Sequence, residues 1–288
     1  MKFKTIDLQT IPTAQLHGLL LSAVAPRPIA LASTVDNEGN PNLSPFSFFN
    51  VFSANPPILI FSPARRVRDN TTKHTLENVK ATKEVVINIV NYSMVHQMSL
   101  SSTEYPKGVN EFEKAGFTME KSHQIKPFRV AEAPVQFECK VNEVVALGNE
   151  GGAGNLVICE VVQLHINKSF LNENGTLNQE KLDLVARAGG SYYSRAKKGF
   201  FEIPKPLATL GIGVDALPKT INNSEILTGN NLGMLANIEK LPSKENVDKF
   251  AKEHPQFVGL STAKKHKFAQ DFLKNNDVLS AWKTLLLK

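Results

Sequence analysis

Two cysteines, Cys139 and Cys159, are all that the 288 residues contain. That is too few for a disulfide-stapled scaffold, and no paired C-x-x-C spacing is present to hold zinc. The start, Met1-Lys2-Phe3-Lys4, is basic but leads into no apolar core, so it does not read as a signal peptide. Reduced thiols in a cytoplasm are the expectation. No stretch approaches the ~18 consecutive apolar residues of a membrane-spanning helix. H-E-x-x-H, a G-x-S-x-G elbow and a G-x-G-x-x-G turn are also missing. The histidines are scattered, and His96 and His123 read as ordinary helix or loop residues. A chain so short of acid–base and nucleophilic machinery, if it is an enzyme, leaves the difficult step to a bound cofactor.

The formal net charge is +6, but the excess is spread along the chain. From Phe201 onward 12 Lys face 9 acidic residues; the remainder carries 21 Lys and Arg against 18 acidic residues. A nucleic-acid footprint is usually concentrated on one patch or helix, so that class is set aside. The one dense basic stretch is local: Arg65, Arg66 and Arg68, followed by Lys73.

Pro26 to Phe52 reads as one long β-hairpin. Ile29, Leu31 and Ser33 alternate with Ala30, Ala32 and Thr34 in a short buried run. Asp36-Asn37-Glu38-Gly39-Asn40-Pro41 is a dense turn. The return arm, Asn42-Leu43-Ser44-Pro45-Phe46-Ser47-Phe48-Phe49-Asn50, mixes hydroxyls and amides with aromatics beyond what plain scaffold needs. Prolines around Arg27 and at 41 and 45 predict that neither arm is an uninterrupted central strand.

Further on, Ile58–Phe61 reads as a buried strand, with a helix from Thr75 that Thr72 or Thr75 could cap. Glu84–Val90 is strongly β-branched. Pro134–Leu147 and Leu156–Ile166 read as long strands around a glycine-rich turn, Gly148–Gly154. Near Pro206 strand patterns give way to amphipathic helices. Ser243 would cap one carrying Val247, Phe250 and Ala251. Phe268, Phe272 and Leu273 suit the next, and Val278, Leu279, Trp282 and Leu286 the last. The expected organisation is a domain over 1–205 and a helical extension over 206–288.

The loop from Ser62 to Thr75 gathers guanidinium and ammonium charge, hydroxyls and a helix start, the chemistry that holds a phosphate. A solvated basic loop fits the same composition.

Taken together, PRPIALAST (26–34), NLSPFSFFN (42–50), ANPPIL (54–59), KHTLEN (73–78), GVNEFEKAG (108–116), VAEAPVQFEC (130–139) and ARAGGSYYS (186–194) resemble the flavin reductase-like family of FMN-binding split barrels, in the subgroup that contains flavoredoxin. The resemblance implies a mixed, mainly β barrel with flanking helices, in a homodimer binding FMN near the subunit interface. It implies that Ser33 and Thr34 lie beside the flavin and that Asn42, Leu43, Ser44, Phe46 and Ser47 line its ring. Lys73 and Thr75 would hold the phosphate with Ser62 and Arg68. Many relatives carry an acidic residue at the middle of Lys-x-Thr, where this chain has His74. Asn110, Glu111 and Phe112 would border the substrate side, with Arg187, Tyr192 and Tyr193 closing over it or serving structure alone.

The leading expectation is an NAD(P)H-dependent flavin reductase, in which NADH or NADPH passes hydride to flavin N5. The alternatives are a flavoredoxin-like FMN electron carrier, with a redox protein as partner, and a non-redox binding module. Neither the final acceptor nor the role of the C-terminal helices is legible.

Overall fold

The computed structural model describes residues 2–203 and 210–288. Two units emerge, Met1–Phe201 and Glu202–Lys288; the boundary expected near Pro206 lies outside the described residues.

In the first unit, helix α1 (Thr13–Ala23) precedes strands β1 (Ala30–Val35), β2 (Pro41–Phe46), β3 (Phe49–Ala54) and β4 (Pro57–Phe61). Helix α2 (His74–Thr82), strand β5 (Glu84–Ile89) and helices α3 (Val95–Leu100) and α4 (Glu111–Ala115) follow. Next come the short strands β6 (Met119–Glu120) and β7 (Arg129–Val130), then the long pair β8 (Val135–Ala146) and β9 (Asn155–Ile166). Helix α5 (Gln179–Leu182) and strands β10 (Val185–Arg187) and β11 (Tyr193–Arg195) complete the unit.

Seven strands form one sheet in the order β2-β1-β5-β8-β9-β4-β3. All its pairs are antiparallel, a correction to the mixed barrel expected. Three of them (β1–β2, β3–β4, β8–β9) are hairpins, which are antiparallel by construction. The two edge strands, β2 and β3, are consecutive in sequence and separated only by Ser47 and Phe48. Laid flat, seven strands at ~4.8 Å spacing would put their edges ~29 Å apart. Three Cα–Cα steps reach only ~11 Å. The sheet therefore curls until its edges meet without pairing, which is a split barrel.

Two expectations for the opening hairpin change. The return arm breaks after Phe46, and Phe49–Ala54 turns to pair with β4. β1 is a central strand after all, paired with β2 and β5, because Pro26 and Pro28 lie outside it. Pro41 and Pro45 sit on β2, where an edge strand tolerates them.

Alternation along β1 divides the core. Ala30 and Ala32 pack with Phe46, Phe61, Ile87, Cys139 and Cys159, and α2 adds Leu76 and Val79. Ile29 and Leu31 pack on the other face with Leu43, Met94, Met98 and Phe112. Both cysteines are free, and burial pushes their thiol pKa values up.

In the second unit, α6 (Lys219–Asn222), α7 (Gly229–Ala236), α9 (Thr262–Lys274) and α10 (Val278–Leu286) surround Leu235, Leu273 and Trp282, while α8 (Lys244–Glu253) packs Val247 and Phe250 against Phe257 and Leu287. Ser243 caps α8 by accepting from the Asn246 N–H. Phe268 and Leu279 are more exposed than the sequence pattern predicts. Ala269 and Ala281 take inward positions instead, beside Leu273 and Trp282, which are buried as expected.

Candidate functional site

The site is built on the β1–β2 hairpin. One carboxylate oxygen of Asp36 accepts from the N–H groups of Glu38 and Asn40, each at 2.9 Å. Gly39 takes the left-handed φ of 89° that the turn requires. This turn sets Thr34 opposite Asn42. Asn42 Nδ2 donates to Thr34 Oγ1 at 3.1 Å and to Thr75 Oγ1 at 2.9 Å. Asn78 Nδ2 also reaches Thr34 Oγ1, at 3.1 Å. All four side chains are buried. The network pins the first turn of α2 to the hairpin and brings Lys73 beside β2, its Nζ 5.8 Å from the centroid of the Phe46 ring.

Neither threonine caps α2, as the sequence pattern suggested. Lys73 is the N-cap residue and no side chain fills the role. Thr72 Oγ1 donates to Glu77, and Thr75 Oγ1 accepts from Asn42. N–H groups of the first helical turn are the ones left without intrahelical partners.

The three clustered arginines do different jobs. Arg65 is held by Asn70, through its side chain and its carbonyl. Arg68 is exposed and pairs with Asp69 and Glu104, both at 2.9 Å. Arg66 is the one that turns towards Lys73, steadied by Glu104 at 2.9 Å and by the Thr72 carbonyl at 2.6 Å. The glycine turn after β8 holds this loop closely. A Cβ on Gly151 would lie 3.0 Å from the Arg66 carbonyl oxygen, and the Arg65 N–H donates to the Ala153 carbonyl at 2.8 Å.

Lys73 and Arg66 thus face one cavity with Asn42, Ser44, Thr75, Ser101, Thr103 and Glu111. Burial, then the Arg66 charge, holds the Lys73 pKa below its ordinary value. Glu111 closes the wall: one carboxylate oxygen accepts the Leu43 N–H at 3.1 Å, satisfying the free edge of β2. Burial raises the Glu111 pKa. Its neighbours play other parts. Asn110 caps α4, and Phe112 is core.

Of the residues singled out from sequence, Asn42, Ser44, Lys73 and Thr75 line this cavity. Phe46 and Ser47 line a second cleft at the far end of β2, with Arg187 and Tyr193. Thr34 is buried behind Asn42, and the Leu43 side chain packs into the core. Ser33 faces away from Thr34, and its Oγ is the one fully buried side-chain N or O atom without a partner among the described residues. Ser62 and Arg68 are not brought in. Ser62 Oγ accepts from the Asn155 N–H at 3.0 Å, and a Cβ on Gly154 would come within 2.8 Å of that oxygen. Arg66, Ser101, Thr103, Glu104 and Tyr105 are the cavity residues that the sequence pattern did not assign; only Arg66 carried a signal, as part of the basic cluster.

The comparisons with known proteins converge on one family. Residues 22–185 match the flavin reductase like domain. An uncharacterized protein of Aquifex aeolicus is 41% identical over 181 residues, covering 63% of this chain and 90% of that protein. Among solved structures, nitrilotriacetate monooxygenase component B from Bacillus cereus superposes with a TM-score of 0.66 at 27% identity, over 70% of this chain and 100% of that one. A protein of Shewanella frigidimarina, described as a flavin reductase with split barrel domain, gives 0.61 at 28% identity, over 71% and 99%. With the curled antiparallel sheet and the cavity beside its first hairpin, these similarities establish that the chain belongs to the flavin reductase-like family.

Proposed function

We propose that the protein is an FMN-binding oxidoreductase in which NADH or NADPH reduces the flavin. The observation that carries this reading is the Lys73 cavity. Its two inward cations, Lys73 and Arg66, stand beside the hydroxyls of Thr75 and Thr103, while the Ser101 hydroxyl is taken by the Met98 carbonyl at 2.8 Å. Lys73 forms no ion pair among the described residues, although it is half-buried. A charge withdrawn from water without a partner is costly, and a phosphate dianion would supply one along with acceptors for the hydroxyls. The donor set fits the FMN phosphate.

Bound FMN would supply the hydride acceptor, so the chain itself needs no nucleophile. Its residues bind and orient. Lys73, Arg66 and Thr75 would hold the phosphate. Asn42 fixes Thr75 while Ser44, Phe46 and Ser47 extend the wall along β2. Glu111 holds the Leu43 N–H and so the outer edge of the strand. Arg68, Ser62, Ser33, Thr34 and Leu43 support this frame from behind or outside, and His74 lines the cavity between the two phosphate residues.

A homodimer is part of the proposal. Val51 and Phe52 are more than 60% exposed on the edge strand β3, an apolar edge of the kind that partners cover. A cytoplasmic setting accords with two buried free thiols.

The test is anaerobic titration of the FMN-loaded protein with NADH and with NADPH. Bleaching by either donor is the expected result. Bleaching by dithionite alone rejects the reductase and leaves an electron carrier.

A further inference from the structure

Arg27 and Arg187 are 160 positions apart in sequence but form an isolated antiparallel bridge. The Arg27 N–H donates to the Arg187 carbonyl at 2.9 Å, and the Arg187 N–H returns to the Arg27 carbonyl at 2.8 Å. Residues paired in this way project side chains to the same face, where like charges oppose one another. Neither guanidinium has a carboxylate within 4.0 Å among the described residues. Arg66, Arg68, Arg129 and Arg195 all do. The remaining arginine, Arg65, is consumed by Asn70.

Arg27 is buried and donates to the carbonyls of Leu21, Val24 and Ala188 and to Ser47 Oγ. Those acceptors satisfy its N–H groups but carry no charge to offset its own. Arg187 is partly open. Its Cζ lies 4.6 Å from the Tyr193 ring centroid, and Nη1 donates to the Tyr192 carbonyl at 3.2 Å. The Arg187 charge, after burial, lowers the Arg27 pKa. Arg187 and Tyr193 wall a cleft of 240 Å³ whose other polar lining is Ser47, Ser99 and Ser102. The cleft lies at the Phe46 end of β2, and Asn42 and Ser44 line the Lys73 cavity along the same strand.

We propose that this cleft is an anion subsite, taking a carboxylate or phosphate of the molecule that exchanges hydride with the flavin. Arg187 is the contacting cation, and Arg27 supplies a fixed positive field behind Ser47. The assignment of that molecule rests on the function proposed above; the anion site itself rests on the two arginines.

The experiment is calorimetric titration of the full-length, FMN-saturated protein with inorganic pyrophosphate and, separately, with succinate. Wild type is compared with Arg187→Gln and Arg187→Lys, whose folding is checked by near-ultraviolet circular dichroism. Arg187→Gln is expected to weaken the preferred anion about tenfold, or ~1.4 kcal/mol. Arg187→Lys keeps part of that affinity, and FMN affinity stays within about twofold in both. Preference for pyrophosphate identifies a phosphate source such as a dinucleotide; preference for succinate identifies a carboxylate substrate. Three outcomes overturn the proposal: equal anion affinity in wild type and Arg187→Gln, no binding of either anion, or a loss of FMN affinity with anion binding intact. Failure to take up FMN is a separate result that rejects the flavin reading. The titrations then run on the flavin-free protein, with Lys73→Ala as background, and the comparison at Arg187 still decides the subsite.

Discussion

The two units bury polar groups to different ends. In Glu202–Lys288 the buried polar side chains close structural bonds. The Ser224 hydroxyl accepts from the N–H groups of Ile226 and Leu227, so its own proton goes to His266 Nδ1 at 2.7 Å. Asn231 and Thr228 form a reciprocal capping box, and Trp282 Nε1 donates to the Leu235 carbonyl at 2.9 Å. In Met1–Phe201 some polar capacity is left over. Among the described residues, Lys73 faces a cavity without an ion pair, Ser33 Oγ has no partner, and Arg27 and Arg187 share a bridge without a carboxylate. Unspent charge and hydrogen-bonding capacity separates a site from scaffold, because folding alone gives no return for burying it.

Substitutions in the two units should therefore be read by different measurements. The largest expected effect is Trp282→Ala, which empties the core of the second unit and removes an indole hydrogen bond. A loss of about 3–5 kcal/mol is expected in chemical unfolding, with FMN affinity unchanged. A fall in FMN affinity at temperatures where this variant is folded would make the second unit part of the site. Next is Lys73→Ala, expected to weaken FMN by about 1–3 kcal/mol in fluorescence titration through loss of a charge-assisted bond. Arg68→Ala, whose partners are exposed carboxylates, should leave FMN affinity within about twofold of wild type by the same assay. An equal loss from both variants would erase the distinction drawn between them.

Two smaller effects concern pH. The Lys73 pKa is lowered, chiefly by burial, so FMN affinity should begin to fall on the alkaline side before ordinary lysines deprotonate. Titrations in buffers of rising pH check this, and a pH-independent affinity contradicts it. The His266 pKa is also lowered by burial. A group with a depressed folded pKa contributes stability above its unfolded value of 6.5 and loses it as pH falls through the folded value. Thermal melts should thus show a decline below about pH 6.5 that His266→Gln lacks.

Much of the local structure was legible because it depends on neighbours in sequence. The Asp36–Pro41 turn, the β-branched β5 and the long β8–β9 hairpin all follow from propensity and turn chemistry. The pairing of Lys73 with Thr75 was singled out by the family resemblance, and composition alone gave only a basic loop before a helix. What was not legible depends on distant contacts. Arg66 rather than Arg68 turns inward because Gly151 and Glu104, both remote in sequence, shape the loop. Ser62 is withdrawn by Asn155, 93 positions away. The break at Ser47–Phe48 is set by closure of the whole sheet, and the Arg27–Arg187 bridge pairs the first and last parts of the unit.

FMN and riboflavin differ only in the phosphate, so equilibrium titration of the protein with each isolates what Lys73 and Arg66 are assigned to do. FMN is expected to bind at least about tenfold more tightly, a difference of ~1.4 kcal/mol, and Lys73→Ala should remove most of that gap. Equal affinity for the two flavins in the wild-type protein would contradict the account.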